Sequence, residues 1–389
     1  MFGSSVHDWK ELKGINTATE IFRQPELWLE TLKIVEFQRE KIDKFITENL
    51  IKENIRVIFT GAGTSAYIGD IVSSQLNKGK TYIFESIPST DIVVNPETYF
   101  KKNIPTLMVS FARSGNSPES IAIYDLANKL IDDVSHVFIT CNKDGKLAEI
   151  AQNKENVLLL MMPEESNDKG FAMTSSFSCM TLAALLAFNI KAFEEKKKQV
   201  MEMVEIGDDV LKNQYSKLNE LIDYDFERVV YLGSGSFYGL SKESSLKLLE
   251  LTRGQITSLS ETILGFRHGP KSILNDKTLV FIFLSLDEYS RKYDLDLLNE
   301  IYHDLGDHKV IAISNNYLKE VEELSDHYIY LSKEKSNIND NGFAALLYAL
   351  FAQVLALKVS IKTKIEPDNP SPSGLVNRVV KGVNIYEYN

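Results

Sequence analysis

Val57-Ile58-Phe59-Thr60-Gly61-Ala62-Gly63-Thr64 has a counterpart in Val229-Val230-Tyr231-Leu232-Gly233-Ser234-Gly235-Ser236, 172 residues further on. The same offset takes Thr106-Leu107 to Thr278-Leu279 and His136 to His308, and Phe171 with the apolar stretch after it to Phe343 and residues 344–357. Landmarks that share one offset mark a duplication, so the fold must be one that a single copy can form and two copies can repeat.

Within a copy the pattern is α/β. Arg56-Val57-Ile58-Phe59-Thr60 reads as a strand, Gly61 to Ala66 as a small-residue turn, and the stretch to Leu76 as a helix. Strands are expected again at residues 81–84, 107–110, 137–140 and 157–161, and a helix from about residue 174 to 192. This alternation predicts a parallel sheet flanked by helices. A chain of 389 residues suits two such domains. The expected boundaries are a helical extension over 1–45, domains over 46–200 and 201–365, and a tail over 366–389 that closes the active site. Within the extension, Gln24-Pro25-Glu26-Leu27-Trp28 starts a helix, with Trp28 facing a core or an interface. Glu194-Glu195-Lys196-Lys197-Lys198 reads as a solvated bridge between the domains.

The first copy carries the chain's most suggestive loop. Val109-Ser110-Phe111-Ala112 leads through Arg113-Ser114-Gly115-Asn116-Ser117 into a helix beginning at Pro118. Free N–H groups at a helix start, with the hydroxyls of Ser114, Ser117 and Ser120, suit a phosphate ester. The same residues also suit an ordinary serine N-cap. Gly61-Ala62-Gly63 lacks the third glycine of a dinucleotide fingerprint, Ala66 standing in its place, although Glu85 lies near the distance a ribose contact requires. Thr64 and Ser65 offer hydroxyls to a bound sugar or phosphate. In the second copy Leu286-Asp287-Glu288-Tyr289 replaces Ser114-Gly115-Asn116-Ser117, and its acidic side chains should repel phosphate.

The second copy has polar groups of its own. Glu243, Lys247 and Glu250 share one helix face, as either a surface ion-pair ladder or a reactive row. Gly265-Phe266-Arg267-His268-Gly269-Pro270-Lys271 holds His268 between glycines, as a structural imidazole or a proton shuttle.

Charge and composition narrow the partners. A formal charge of −11 argues against a nucleic-acid or anionic-membrane surface. Cys141 and Cys179 are the only cysteines and have no CxxC spacing, so neither a disulfide scaffold nor a thiolate metal site is expected. No compact His, Asp and Glu cluster is evident, and neither metal nor cofactor is expected. Residues 1–20 do not read as a secretory signal, and no uninterrupted apolar run reaches spanning length. The cytoplasm is the expected location.

These motifs, with Phe171-Ala172-Met173-Thr174-Ser175-Ser176-Phe177 and Asp368-Asn369-Pro370-Ser371-Pro372-Ser373-Gly374, resemble the sugar isomerase (SIS) family over nearly the whole chain. The nearest group is the bacterial AgaS type, described as galactosamine-6-phosphate deaminases or tagatose-6-phosphate ketose/aldose isomerases. The resemblance implies two duplicated SIS domains with an N-terminal helical extension. By similarity to the isomerase half of glucosamine-6-phosphate synthase, it places phosphate contacts on Ser65, Arg113, Ser114 and Ser117, with Arg113 where that relative has glutamine. It implies proton transfer between C1 and C2 by Glu250, on a helix shared with Glu243 and Lys247. Ring opening falls to His268, and a C-terminal catalytic lysine falls on Lys381. The gap from Glu250 to His268 is two residues longer than in that relative. The implied partner is a hexose or hexosamine 6-phosphate. The implied assembly is a homodimer or dimer of dimers with a shared active site, in which the neighbouring subunit can supply the histidine.

The expected reaction converts D-galactosamine 6-phosphate and water to D-tagatopyranose 6-phosphate and ammonia. The chain has no room before Thr60 for the glutamine-hydrolysing domain that feeds ammonia to the synthase, which suits the ammonia-releasing direction. A ketose/aldose isomerase would use the same residues. A sugar-phosphate-sensing module would keep the serines and dispense with Glu250 and His268. A dehydrogenase would rest on the glycine turn alone.

Overall fold

The duplicated strand–turn–helix segments build two five-stranded sheets, each entirely parallel. The computed structural model describes residues 1–79, 82–380 and 382–388. In the first sheet, β1 (Arg56–Thr60), β2 (Phe84–Ser86), β3 (Thr106–Ala112), β4 (Val134–Thr140) and β5 (Val157–Met161) lie in the order β2-β1-β3-β4-β5. In the second, β6 (Arg228–Leu232), β7 (Thr257–Glu261), β8 (Thr278–Phe283), β9 (Lys309–Asn316) and β10 (His327–Ser332) lie in the order β10-β9-β8-β6-β7. The two orders are equivalent copy for copy. Arg56 aligns with Thr106 across β1 and β3, and Arg228 aligns with Thr278 across β6 and β8, so the duplication holds down to strand register. In each copy the chain reverses its direction of travel between the first and third strands, which leaves a crevice at their carboxyl ends.

The central strands are largely apolar because helices cover both faces, whereas the edge strands β7 and β10 carry polar, partly exposed residues. Every residue of β3 and of β8 is buried. Phe59 of β1 stacks on Phe84 and Phe111 and meets the edge of Phe188. Its counterpart Tyr231 stacks on Phe281 and Phe283. The short strand expected over 81–84 is shifted to Phe84–Ser86, and Thr81 lies outside the described residues.

One apolar helix completes each core. In the first copy all of helix Ser175–Ala187 is buried. Its start is organised by Asp168, which is fully buried and accepts hydrogen bonds from the N–H groups of Thr174, Ser175 and Ser176 and from the Thr174 and Ser176 hydroxyls. Trp28, also fully buried, donates from Nε1 to the Ser178 hydroxyl at 2.8 Å. In the second copy Asp340 receives the N–H groups of Gly342 and Phe343 at the start of helix Asn341–Lys362. A carboxylate suits both positions because it satisfies orphan donors and sits at the positive end of the helix. Helix Asn341–Lys362 is long and apolar enough to cross a membrane, which the sequence reading did not anticipate. Within the fold 89% of its most apolar window is buried, so that length serves a core.

The chain forms two compact units. Met1–Pro25, Lys169–Ala172 and Met201–Pro372 make one, and Glu26–Asp168, Met173–Val200 and Ser373–Asn389 make the other. In the unit holding the second sheet, the Asp368 carboxylate caps helix Ile15–Phe22 by accepting from Asn16 and Thr17. There Glu20 also accepts the N–H groups of Lys169 and Gly170. A side chain at Gly170 would meet the Thr17 hydroxyl at 2.7 Å and Glu20 at 2.8 Å, so it would have to push that carboxylate aside. The charged run at 194–198 directly precedes the passage between the two units after Val200, and it is helical and ion-paired. It opens helix Phe193–Lys212, where Glu194 pairs with Arg39 and Lys197 with Glu36, each at 2.6 Å.

Removing the Asp168 carboxylate leaves buried backbone donors without an acceptor, each costing about 1–3 kcal/mol. Asp168→Ala is expected to lower the stability of the full chain by roughly 3 kcal/mol or more, and Asp168→Asn by less, as measured by urea titration.

Candidate active site

In the first copy the site grows from two strand ends. After β1 the chain turns through Gly61-Ala62-Gly63, where Gly63 has a φ of 57°. A side chain at Gly61 would meet the Ser65 backbone at 2.7 Å. This tight turn brings the start of helix Thr64–Leu76, with Ser65 in its first turn, to the sheet edge. After β3 the chain passes Arg113 to Ser117 and enters helix Pro118–Leu130. The structure decides against the ordinary serine cap. The Ser117 side chain makes no capping bond to the backbone, and its hydroxyl lies 2.5 Å from that of Ser120.

Ser65, Arg113, Ser114 and Ser117 line one cavity of about 120 Å³. Two helix N-termini supply its partial positive charge. Arg113 is 7% exposed and donates from Nη2 to the carbonyl of Arg378 at 2.8 Å. Arg378, Val379 and Val380 of the tail join the lining, and the Arg378 guanidinium donates to the Asp168 carbonyl. The tail was expected to close the site, and three of its residues line this cavity, although no local pattern announced which ones. Lys381 lies outside the described residues.

Glu85, the acidic residue at ribose spacing, is already committed. It takes a two-point ion pair from Arg56, at 2.7 and 2.9 Å, and Arg56 opens β1 at the sheet's amino end. That removes the residue the dinucleotide reading depends on.

The second copy repeats the turn as Gly233-Ser234-Gly235 and continues into helix Ser236–Leu251. The three charged residues on this helix are not a solvated ladder. The side chains of Glu243 and Lys247 are each 1% exposed, and that of Glu250 is 24% exposed. Lys247 Nζ lies 2.5 Å from Glu250 Oε2 and 3.6 Å from Glu243 Oε1. A buried lysine is tolerated here because carboxylates flank it, and it holds the more exposed Glu250 in one orientation.

His268 is solvent-exposed on a loop between the short helix Ile263–Phe266 and the turn Pro270–Ile273. The cations beside it anchor this loop to helix Glu288–His303. Arg267 pairs with Asp296 at 3.0 Å and Glu300 at 2.7 Å, while Lys271 pairs with Glu300 and Asp304, both at 2.6 Å. Partial burial works against the Lys271 charge, and Asp304 and Glu300 outweigh it, so its pKa is raised. Glu300 therefore grips the loop on both sides of the imidazole, a role with no signature in the sequence. Among the described residues no His, Cys, Asp and Glu group is arranged to hold a metal.

Comparison with known proteins follows this geometry. The SIS domain model matches residues 49–190 and 224–362. The chain is 40% identical over 375 residues to a D-galactosamine-6-phosphate deaminase AgaS of a Shewanella species, covering 96% of this chain and 92% of that one. A crystal structure from Clostridium novyi, provisionally described as a tagatose-6-phosphate ketose/aldose isomerase, is 50% identical. It covers 100% of this chain and 99% of its own with a TM-score of 0.97. The tagatose-6-phosphate ketose/aldose isomerase of Escherichia coli is 37% identical, with coverages of 96% and 97% and a TM-score of 0.85.

Half-exposed ion pairs of the Glu300 kind are worth about 0.5–1 kcal/mol each. Glu300→Ala is expected to speed amide exchange across residues 267–273 roughly fivefold to tenfold. Exchange in helix Ser175–Ala187 should be unchanged in the same hydrogen–deuterium measurement.

Proposed function

The chain belongs to the SIS family, and from that premise we propose that it deaminates D-galactosamine 6-phosphate, giving D-tagatose 6-phosphate and ammonia. The observation that carries the enzymatic reading is Lys247, buried beside Glu250 on a helix that starts at the carboxyl edge of the sheet. A module that only senses a sugar phosphate has no use for a costly buried charge next to a partly exposed carboxylate. The deaminase reading is supported by the Shewanella relative.

In this reading Ser65, Ser114 and Ser117 donate hydroxyl hydrogen bonds to the 6-phosphate, with the Arg113 cation and two helix N-termini supplying charge. His268 takes the proton of the anomeric hydroxyl and returns one to the ring oxygen, which opens the pyranose. Glu250 removes the C2 proton of the open aldehyde form and delivers it to C1. C1 becomes a hydroxymethyl carbon and C2 an imine. Water adds to the imine carbon, and the C–N bond breaks to give the ketose and ammonia. Lys247 holds the Glu250 carboxylate in place and offers positive charge to the oxygen that becomes enolic. Lys381 is assigned a supporting role on the same developing charge. The assembly we infer is a homodimer or dimer of dimers, with His268 serving the neighbouring subunit's site.

A plain ketose/aldose isomerisation is the second reading, favoured by the names of the Clostridium and Escherichia relatives. It shares every step up to the imine, with oxygen in place of nitrogen at C2.

The deciding assay is ammonia release from galactosamine 6-phosphate, with glucosamine 6-phosphate and tagatose 6-phosphate beside it. Ammonia from the galacto substrate is the expected outcome. Ketose–aldose interconversion without ammonia would establish the isomerase, and binding without turnover would establish the sensor. Glu250→Gln is expected to lower kcat by about a thousandfold or more with sugar-phosphate affinity kept. Conversely, Ser114→Ala/Ser117→Ala should raise KM by about tenfold or more and leave the pH dependence of kcat in place.

A further inference from the structure

The second copy has a ligand-sized cavity of its own, one strand further along its sheet than the phosphate cavity of the first. It lies at the carboxyl ends of β8 and β9, has a volume of about 240 Å³, and is lined by Leu284 to Leu286, Arg291, Ser314 to Asn316, Leu318 and the segment around Lys335 and Ile338. The carboxyl ends of parallel strands are where ligands of α/β folds bind. None of the lining residues belongs to the machinery assigned above.

Sequence alone disfavours an anion here, because Asp287 and Glu288 stand where the first copy has Gly115 and Asn116. The structure removes that objection. Asp287 is turned away to cap helix Glu288–His303, accepting the Ser290 N–H at 2.9 Å, and Glu288 is exposed. No carboxylate lines the cavity, whereas two cations do. Arg291 is fixed by donating from Nη1 to the carbonyls of Ser285 at 3.0 Å and Leu286 at 3.2 Å. Lys335 sits on a loop that Glu202 holds through the Ser336 hydroxyl and the Asn337 N–H. Asp294 lies behind the Ser285 loop and accepts the Ser285 N–H. Burial raises its pKa to about 7, so it cancels the Arg291 charge only in part.

Asn315 says what accompanies the anion. It is 5% exposed, and its Nδ2 donates to the Ile338 carbonyl and the Asn316 side chain, each at 3.2 Å. Its Oδ1 is buried with no protein donor. That acceptor is closed off as the side chain stands, and turning the Asn315 amide toward the cavity it lines gives it a ligand hydroxyl as partner.

We propose that this cavity is a second binding site, for a small hydroxylated phosphate ester whose anion meets Arg291 and Lys335 and whose hydroxyl donates to Asn315. The first copy binds phosphate through a serine loop and helix N-termini. This site instead uses side-chain cations, since the N–H groups of Ser285, Leu286 and Asp287 are already bonded to Asp294, Asn341 and Ser285.

The test is calorimetric titration of the full chain with D-sorbitol 6-phosphate, an open-chain ester with no carbonyl to react. One equivalent of binding is expected to weaken about tenfold or more in Lys335→Glu and in Arg291→Ala, with Ser114→Ala/Ser117→Ala leaving it intact. Sorbitol without phosphate should not bind there. Lys335 is exposed, so its variant reports on the site even if Arg291→Ala disturbs the loop. The proposal fails if all sorbitol 6-phosphate binding disappears in the serine variant. It also fails if Lys335→Glu leaves every equivalent unchanged. Either result is independent of whether the chain releases ammonia.

Discussion

Each copy of this fold depends on a buried carboxylate that opens its core helix. A helix that is apolar on every side can be buried, yet its first N–H groups cannot be left without acceptors in that interior. Asp168 meets this need by accepting from Thr174, Ser175 and Ser176, and Asp340 meets it for Gly342 and Phe343. The two aspartates stand 172 residues apart, so the solution predates the divergence of the copies. With the helix seated, the central strands can be apolar on both faces, and polar groups gather in the loops at the sheet's carboxyl edge and, in the second copy, along helix Ser236–Leu251.

From that shared frame the copies diverged by what they place at the edge. The first keeps serines and a guanidinium at two helix starts, the set proposed above to hold an anion. The second buries a lysine between glutamates and offers an imidazole on a loop clamped by Glu300, the set proposed to move protons. Duplication thus provides two equivalent scaffolds whose polar groups differ.

Much of this was legible in the chain, for physical reasons that differ residue by residue. The glycine turns and the Ser114-Gly115-Asn116-Ser117 loop are local, so strand, turn and helix start can be read from neighbouring residues. The family resemblance then brought Ser65, Arg113, Ser114 and Ser117 to one phosphate, and one cavity holds all four. What sequence does not carry is burial and distant pairing. The spacing of Glu243, Lys247 and Glu250 is the same on a surface helix as on a buried one, and only the 1% exposure of Lys247 separates them. The run at 194–198 reads as a solvated bridge, but its ion-pair partners, Arg39 and Glu36, lie too far back in the chain to be read from it. Asp287 reads as a repellent charge because its use as a helix cap depends on where the helix starts.

The Arg113 guanidinium serves two masters. It lines the cavity proposed for the phosphate, and it also holds the carbonyl of Arg378, whose own guanidinium reaches back to the Asp168 carbonyl. The chain's last segment is therefore threaded into the same electrostatic circuit as its ligand and the cap of its core helix. By linkage, anything that lifts residues 378–380 alters how firmly an anion is held, and an anion in the cavity alters how often those residues lift. Affinity for the phosphate and the order of the tail are one equilibrium seen from two ends.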